Sequence, residues 1–306
     1  MIVAIFLLWL SSFLVNLPFI QVQALTKVVV PSIHHEFQPQ HYPRWMNHES
    51  FLKKFDYSVF LYQKSNPELP NYLKRNRGTE AGVYLNYIVD HYHNFPDVAI
   101  FVHGHPEHHT AAAFPEMLGC ISPNASYISL NSPYISRDTQ YWNEAGLWVE
   151  QCWRDILKVI WGLEDDIALF EEIVPIDQPI SINMVCCQQF LISRSMVHRR
   201  PLKVWKKLLS IVYEQDVCHI GEPDYEHLYA FHLMKLRLGP EEPSIKHLGE
   251  EEGQGYGAHT QGGAMEHLAH VIYGHKSLQM APPTMDEICQ NFLPDCPNSP
   301  CTRSSA

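Results

Sequence analysis

The sequence predicts an α/β protein, a single mixed, mostly parallel sheet flanked by helices. Three observations carry that. A strand-like run, residues 56–62 (DYSVFLY), precedes a helical pattern, which precedes a second strand, Val98 to Val102. That second run is apolar at every position, as in a sheet covered on both faces. Later segments alternate between helical spacing and short apolar runs, the signature of α/β layering.

Each element has a local reason. Ala81, Tyr84, Leu85, Ile88 and Tyr92 recur at helical steps, with Thr79 or Asn76 as cap and Pro96 as stop. Trp148, Cys152, Ile156 and Val159 mark a helix over 142–161. Residues 179–193 read as one or two strands. Arg200-Pro201 opens a helix to Tyr213, with Pro in the first turn. Residues 225–238 are expected to be helical. Residues 240–263, rich in Glu and Gly, are expected to form a long loop, and 264–273 a short helix.

The expected organisation has four parts. Residues 1–24 are a signal peptide or N-terminal anchor, 25–50 an extended arm, 51–278 the α/β domain, and 279–306 a Cys- and Pro-rich tail. Ile2 to Val15 is apolar apart from Ser11 and Ser12, and Val22-Gln23-Ala24 resembles a cleavage site. The first basic residue, Lys27, follows the apolar run, which disfavours an anchor with a cytosolic N-terminus. The expected location is therefore secreted or lumenal (ER/Golgi). A membrane partner is expected only if the segment stays uncleaved.

Asn124-Ala125-Ser126 is an N-glycosylation acceptor in a Pro- and Ser-rich stretch. Eight cysteines permit disulfides, and a bridge among Cys289, Cys296 and Cys301 would tie down the tail. The formal net charge is −11 over 306 residues, with no long basic run. Phosphate-backbone binding needs clustered cations, so no nucleic-acid partner is expected.

The chemistry concentrates at strand ends. In open α/β sheets, ligands bind beyond the carboxyl ends of the strands. His103 and His105 follow the second strand, and His108, His109 and Glu107 follow them. Neutral imidazoles suit zinc or manganese, so a divalent metal is one expectation; metal-free acid–base use is another. Asn76, Arg77 and Gly78 precede the helix on the same expected edge, where free N–H groups favour an anion. Glu266 and His270 are four apart and share a helix face. Asp165-Asp166 reads as a solvated turn.

Several of these pieces carry a resemblance. They are Asn76-Arg77-Gly78-Thr79-Glu80, Tyr84 to Ile88, Phe95-Pro96-Asp97, Phe101 to His105, Cys186 to Phe190 with Ser193-Arg194, Arg200-Pro201, and Glu266-His267-Leu268 with His270 to Gly274. Together they resemble a family of uncharacterised proteins, domain of unknown function 3431. Its layout is similar to GT-A glycosyltransferases, which use nucleotide sugars. In that layout an Asp-x-Asp metal motif follows a central strand and a late acidic residue acts as base. The resemblance implies a GT-A-like sheet, with His103-Gly104-His105 in the Asp-x-Asp place. Glu266 would be the base with His270 beside it, and Asn76, Arg77, Gly78 and Gln189 would hold a small-molecule or glycan ligand. Two departures stand out: His108-His109 replaces a Trp-His pair, and Ala269 replaces a Trp. Two other functions stay open, a metal-dependent hydrolase built on the same histidines and a non-catalytic secreted binding protein.

Overall fold

The computed structural model describes residues 25–33, 43–47, 49–62, 67–68, 70–73, 78–108, 114–131, 147–175, 180, 182, 185, 187–213, 262, 264–274, 277–278, 281, 283–297 and 299–301. The strands are β1 (Lys27–Ser32), β2 (Ser58–Val59), β3 (Val98–His103), β4 (Tyr127–Ser129) and β5 (Phe190–Ser193). The helices are α1 (Arg44–Asn47), α2 (Glu49–Phe55), α3 (Thr79–His91), α4 (Phe114–Leu118), α5 (Leu147–Trp161) and α6 (Ile167–Ile173). After β5 come α7 (Arg194–Val197), α8 (Leu202–Tyr213), α9 (Ala269–Ile272) and α10 (Met285–Asn291).

The strands form one sheet in the order β2-β1-β3-β5-β4. β1 runs parallel to both β2 and β3, while β5 is antiparallel to both β3 and β4. The sheet is therefore mixed, with β5 alone reversed. β3 is its middle strand. Its alternate residues feed two separate cores, as the period of a strand requires. Ala99 and Phe101 join Phe190, Ile192, Tyr84, Ile88, Trp153 and Trp205 on the face covered by α3, α5 and α8. Val98, Ile100 and Val102 join Val29, Leu191, Ile128, Trp45, Phe114 and Phe292 on the other. Burying Phe101 completely contributes roughly 1.5–3 kcal/mol on transfer grounds.

Residues 25–50 are more than an arm. They contribute β1, which lies between β2 and β3 and pairs along its whole length with β3, Lys27 opposite Val98 through Ser32 opposite His103. Pro31 is tolerated inside the sheet because β2 has already ended: its register with β1 covers only Val28 and Val29. The strand expected over 56–62 is correspondingly short. The caps expected at Thr79 or Asn76 differ too. Gly78 is the N-cap, with φ 69°, and no side chain caps the helix. Thr79 is already its first residue, also at positive φ. Asn76 lies outside the described residues.

The tail is tied down by Cys120–Cys296 and Cys289–Cys301. Cys152 and Cys187 are disulfide-bonded as well. Thr284 and Glu287 close a reciprocal cap on α10, and the Asn291 side chain accepts the Ser126 N–H at 2.9 Å. Among the described residues no helix is long and apolar enough to cross a membrane. The helix expected over 225–238, and most of the 240–263 loop, fall outside them.

Candidate functional site

The carboxyl end of β3 organises the site. The strand ends at His103, and the chain bends through Gly104 and His105 into a 3-10 turn, Pro106–His108. The expected strand geometry would have aimed both rings one way; the bend separates them. His103 Nε2 lies 3.8 Å from Glu80 Oε1, in the first turn of α3. His105 Nδ1 lies 3.3 Å from Glu107 Oε1. Each imidazole thus faces its own carboxylate. Both members of the first pair are partly shielded, with side chains 23% and 32% exposed, whereas the second pair is more open at 40% and 51%.

Gln189 frames this end. It is fully buried just before β5. Its side-chain oxygen accepts the His103 N–H at 3.0 Å. Its amide nitrogen donates to Pro106 O at 3.2 Å and to Asn131 Oδ1 at 3.1 Å. With both amide hydrogens and an oxygen lone pair committed, Gln189 holds the loop after β3.

The turn before Gln189 is clamped from the far end of the chain. Cys187 and Gln188 both have positive φ, 77° and 37°, a conformation that costs energy in residues with a Cβ and persists only when surroundings impose it. Glu266 supplies one constraint: its Oε1 accepts the Cys187 N–H at 2.7 Å. Gly262 supplies another, its carbonyl accepting from Gln188 Nε2 at 3.5 Å. Gly262 also packs on the start of α3, where an added Cβ would come within 2.5 Å of Thr79 Oγ1 and 3.1 Å of the Gly78 carbonyl carbon. Three segments distant in sequence, around Gly78, His103 and Glu266, therefore meet through the Cys187-Gln188-Gln189 turn.

The helix expected over 264–273 is interrupted at Leu268. His270 is buried, and its Nε2 lies 3.2 Å from Leu278 O, which accepts if that nitrogen carries the proton. A small notch lies between β4, the turn before β5 and α9. Tyr127, Asn131, Gln188, Gln189, Phe190 and His270 line it, and its free volume of about 10 Å³ suits one water-sized group. Burial pushes the Tyr127 and Tyr273 hydroxyls well above the ordinary tyrosine range, so both stay protonated.

The remaining expected residues separate. Gly78 is at the site edge, while Asn76, Arg77 and His109 lie outside the described residues, as does the side chain of His108. Among the described residues, no group of three or more His, Cys, Asp or Glu side chains converges as metal ligands would. Asn124 is on an exposed turn just before β4. Asp165 is exposed, and Asp166 caps α6 by accepting the Leu169 N–H at 3.1 Å. Glu80 was missed as a site residue because a first-turn acid reads equally well as a partner of the helix dipole.

A family model described as Protein of unknown function (DUF3431) matches residues 28–222, more than half of the chain. The chain belongs to that family. The family's stretch starts within β1 and runs past α8, so it includes Glu80, His103, Gln188 and Gln189. Glu266 and His270 lie beyond it. No match was found among curated proteins or among solved structures.

Proposed function

We propose that this family member is a GT-A-like enzyme of the secretory pathway that transfers a sugar from a nucleotide donor to a glycan. The observation that supports the reading best is the pairing of His103 with Glu80 at the end of the middle strand. That is the place where the GT-A layout carries its Asp-x-Asp. A protonated imidazole there would stabilise charge developing on a leaving phosphate. Glu266 fits a positioning role better than that of a base, because one of its oxygens is committed to the Cys187 N–H.

A manganese or zinc ion belongs to the GT-A expectation. Among the described residues His103 and His105 each face a separate carboxylate and no three ligands converge, while His109 and the His108 side chain lie outside those residues. A second reading, a secreted protein that binds a glycan without turnover, draws support from the engagement of Glu266 with the Cys187 backbone.

The test uses the full chain secreted from eukaryotic cells. Thermal shifts are recorded with nucleotide sugars and free glycans, with and without manganese, and sugar release is followed in parallel. Stabilisation by a nucleotide sugar, with release that falls at least about tenfold in His103→Ala and Glu80→Gln, supports transfer. Stabilisation by glycans alone, without release, supports the binding protein. The same material tests the compartment: an endoglycosidase should shift its mobility, and Asn124→Gln should abolish the shift.

A further inference from the structure

Gln188 is 3% exposed, and its Oε1 accepts no hydrogen bond among the described residues. A buried acceptor without a donor costs about 1–3 kcal/mol, so it calls for a partner supplied from outside. Gln188 lines the notch beside β4, and its own Nε2 is turned to Gly262 O. Tyr127 also lines the notch, and burial keeps its hydroxyl protonated. The lining offers an acceptor and a donor beside the buried His270, and among the described residues it carries no Lys, Arg, Asp or Glu. A phosphate or carboxylate would meet no Lys or Arg there among the described residues. A hydroxyl donates one hydrogen bond and accepts others, which matches both groups. The volume of about 10 Å³ admits one such group and excludes a whole sugar ring.

We propose that this notch is a specificity subsite that receives a single uncharged hydroxyl of the ligand, donated to Gln188 Oε1 and accepted from Tyr127. The ligand class is a neutral polyhydroxylated molecule, a sugar, with any charged portion lying outside the notch. Naming a sugar rests on the reading of the site as a sugar site. The strained turn at Cys187-Gln188 is what carries the carboxamide into the notch, and its clamps to Glu266 and Gly262 hold it there. A site that hydrogen-bonds a hydroxyl in this way discriminates strongly against analogues lacking it, because its buried groups are then left unpaired.

The experiment is a cycle between ligand and protein, run by calorimetry on the disulfide-intact full chain. The probes are UDP, UDP-glucose, UDP-galactose, GDP-mannose, free monosaccharides and their single-position deoxy analogues. For one sugar, deleting one hydroxyl is expected to weaken binding about tenfold or more, and so is Gln188→Ala. The two changes together should cost no more than either alone. Tyr127→Phe, which removes one oxygen, should reproduce a weaker form of the same coupling, and it serves if Gln188→Ala does not fold. UDP alone should bind both variants as it binds the unmodified chain. Independent, additive losses would overturn the subsite while leaving the transferase reading intact. Coupling seen with free sugars but no affinity for any nucleotide sugar would uphold the subsite and remove the transferase reading. If no probe binds, both are overturned and the notch holds a water.

Discussion

The side-chain oxygen of Gln189 accepts the backbone N–H of His103 at 3.0 Å, across 86 residues of sequence. This bond, with the two that Gln189 donates to Pro106 and Asn131, sets the path of the chain where β3 becomes a loop. Gln189→Leu removes all three and leaves buried polar groups unpaired. We expect a loss of about 2–4 kcal/mol in stability, measured by denaturant unfolding with disulfides intact. A loss below about 0.5 kcal/mol would mean that the loop is held by other contacts.

Gly78 faces Val212 in the same way that a keyhole faces its key. A Cβ at Gly78 would lie 2.3 Å from Val212 Cγ1, and the backbone there has φ 69°. Gly78→Ala therefore combines left-handed strain with overpacking, together about 2–4 kcal/mol. Val212→Ala should relieve the overlap but not the strain. The double variant is expected to be more stable than the sum of the two single losses predicts, and strict additivity would argue against the overlap.

Asp97 anchors the start of β1 to the start of β3. Its Oδ2 accepts the Thr26 N–H at 2.9 Å and the Thr26 hydroxyl at 2.8 Å, and Arg194 Nη2 lies 3.2 Å from Oδ1. The Thr26 N–H, against some opposition from burial and with help from the Thr26 hydroxyl and Arg194, holds the carboxyl below its ordinary range. A carboxyl lowered by folding contributes stability above its unfolded pKa, near about 4, and loses it as pH falls through the folded value. Asp97→Asn should therefore be less stable at pH 7, with the gap to the unmodified chain closing below about pH 4. Urea midpoints at several pH values check this, and a gap that widens in acid would reverse the sign.

The two tail disulfides close loops of very different length, with sequence separations of 176 for Cys120–Cys296 and 12 for Cys289–Cys301. In the chain-entropy account the longer loop restrains the unfolded chain more, by about 2 kcal/mol. Replacing both Cys120 and Cys296 by Ser should thus destabilise more than replacing Cys289 and Cys301. Non-reducing denaturation curves of the two variants decide, and the reverse order would show that local packing of the tail dominates.

Long, regular features could be read from residues alone. α3 and α8 carry strong helical spacing, and β3 carries five consecutive apolar residues that only a two-sided burial explains. β1 escaped because its six residues include Pro31, and its strand character depends on partners 30 and 71 positions away, such as Ser58 and Ala99 opposite Val28. At the site, His103 and Gln189 were recognisable as polar residues bordering apolar runs. That Gln189 ties His103, Pro106 and Asn131 together while Gln188 turns to Gly262 was not, because adjacent identical residues differ only in which neighbours their side chains reach.

Local sequence determined which segments bury an apolar face and which loops carry imidazoles and carboxamides, because those properties follow from side-chain chemistry and backbone period. Only the tertiary structure decided that His103 turns to Glu80 while His105 turns to Glu107, and that Glu266 spends an oxygen on the Cys187 backbone. The physical reason is that hydrogen bonds and ion pairs act over a few ångströms. Partners so close in space and so far apart in the chain leave no periodic trace in the order of residues.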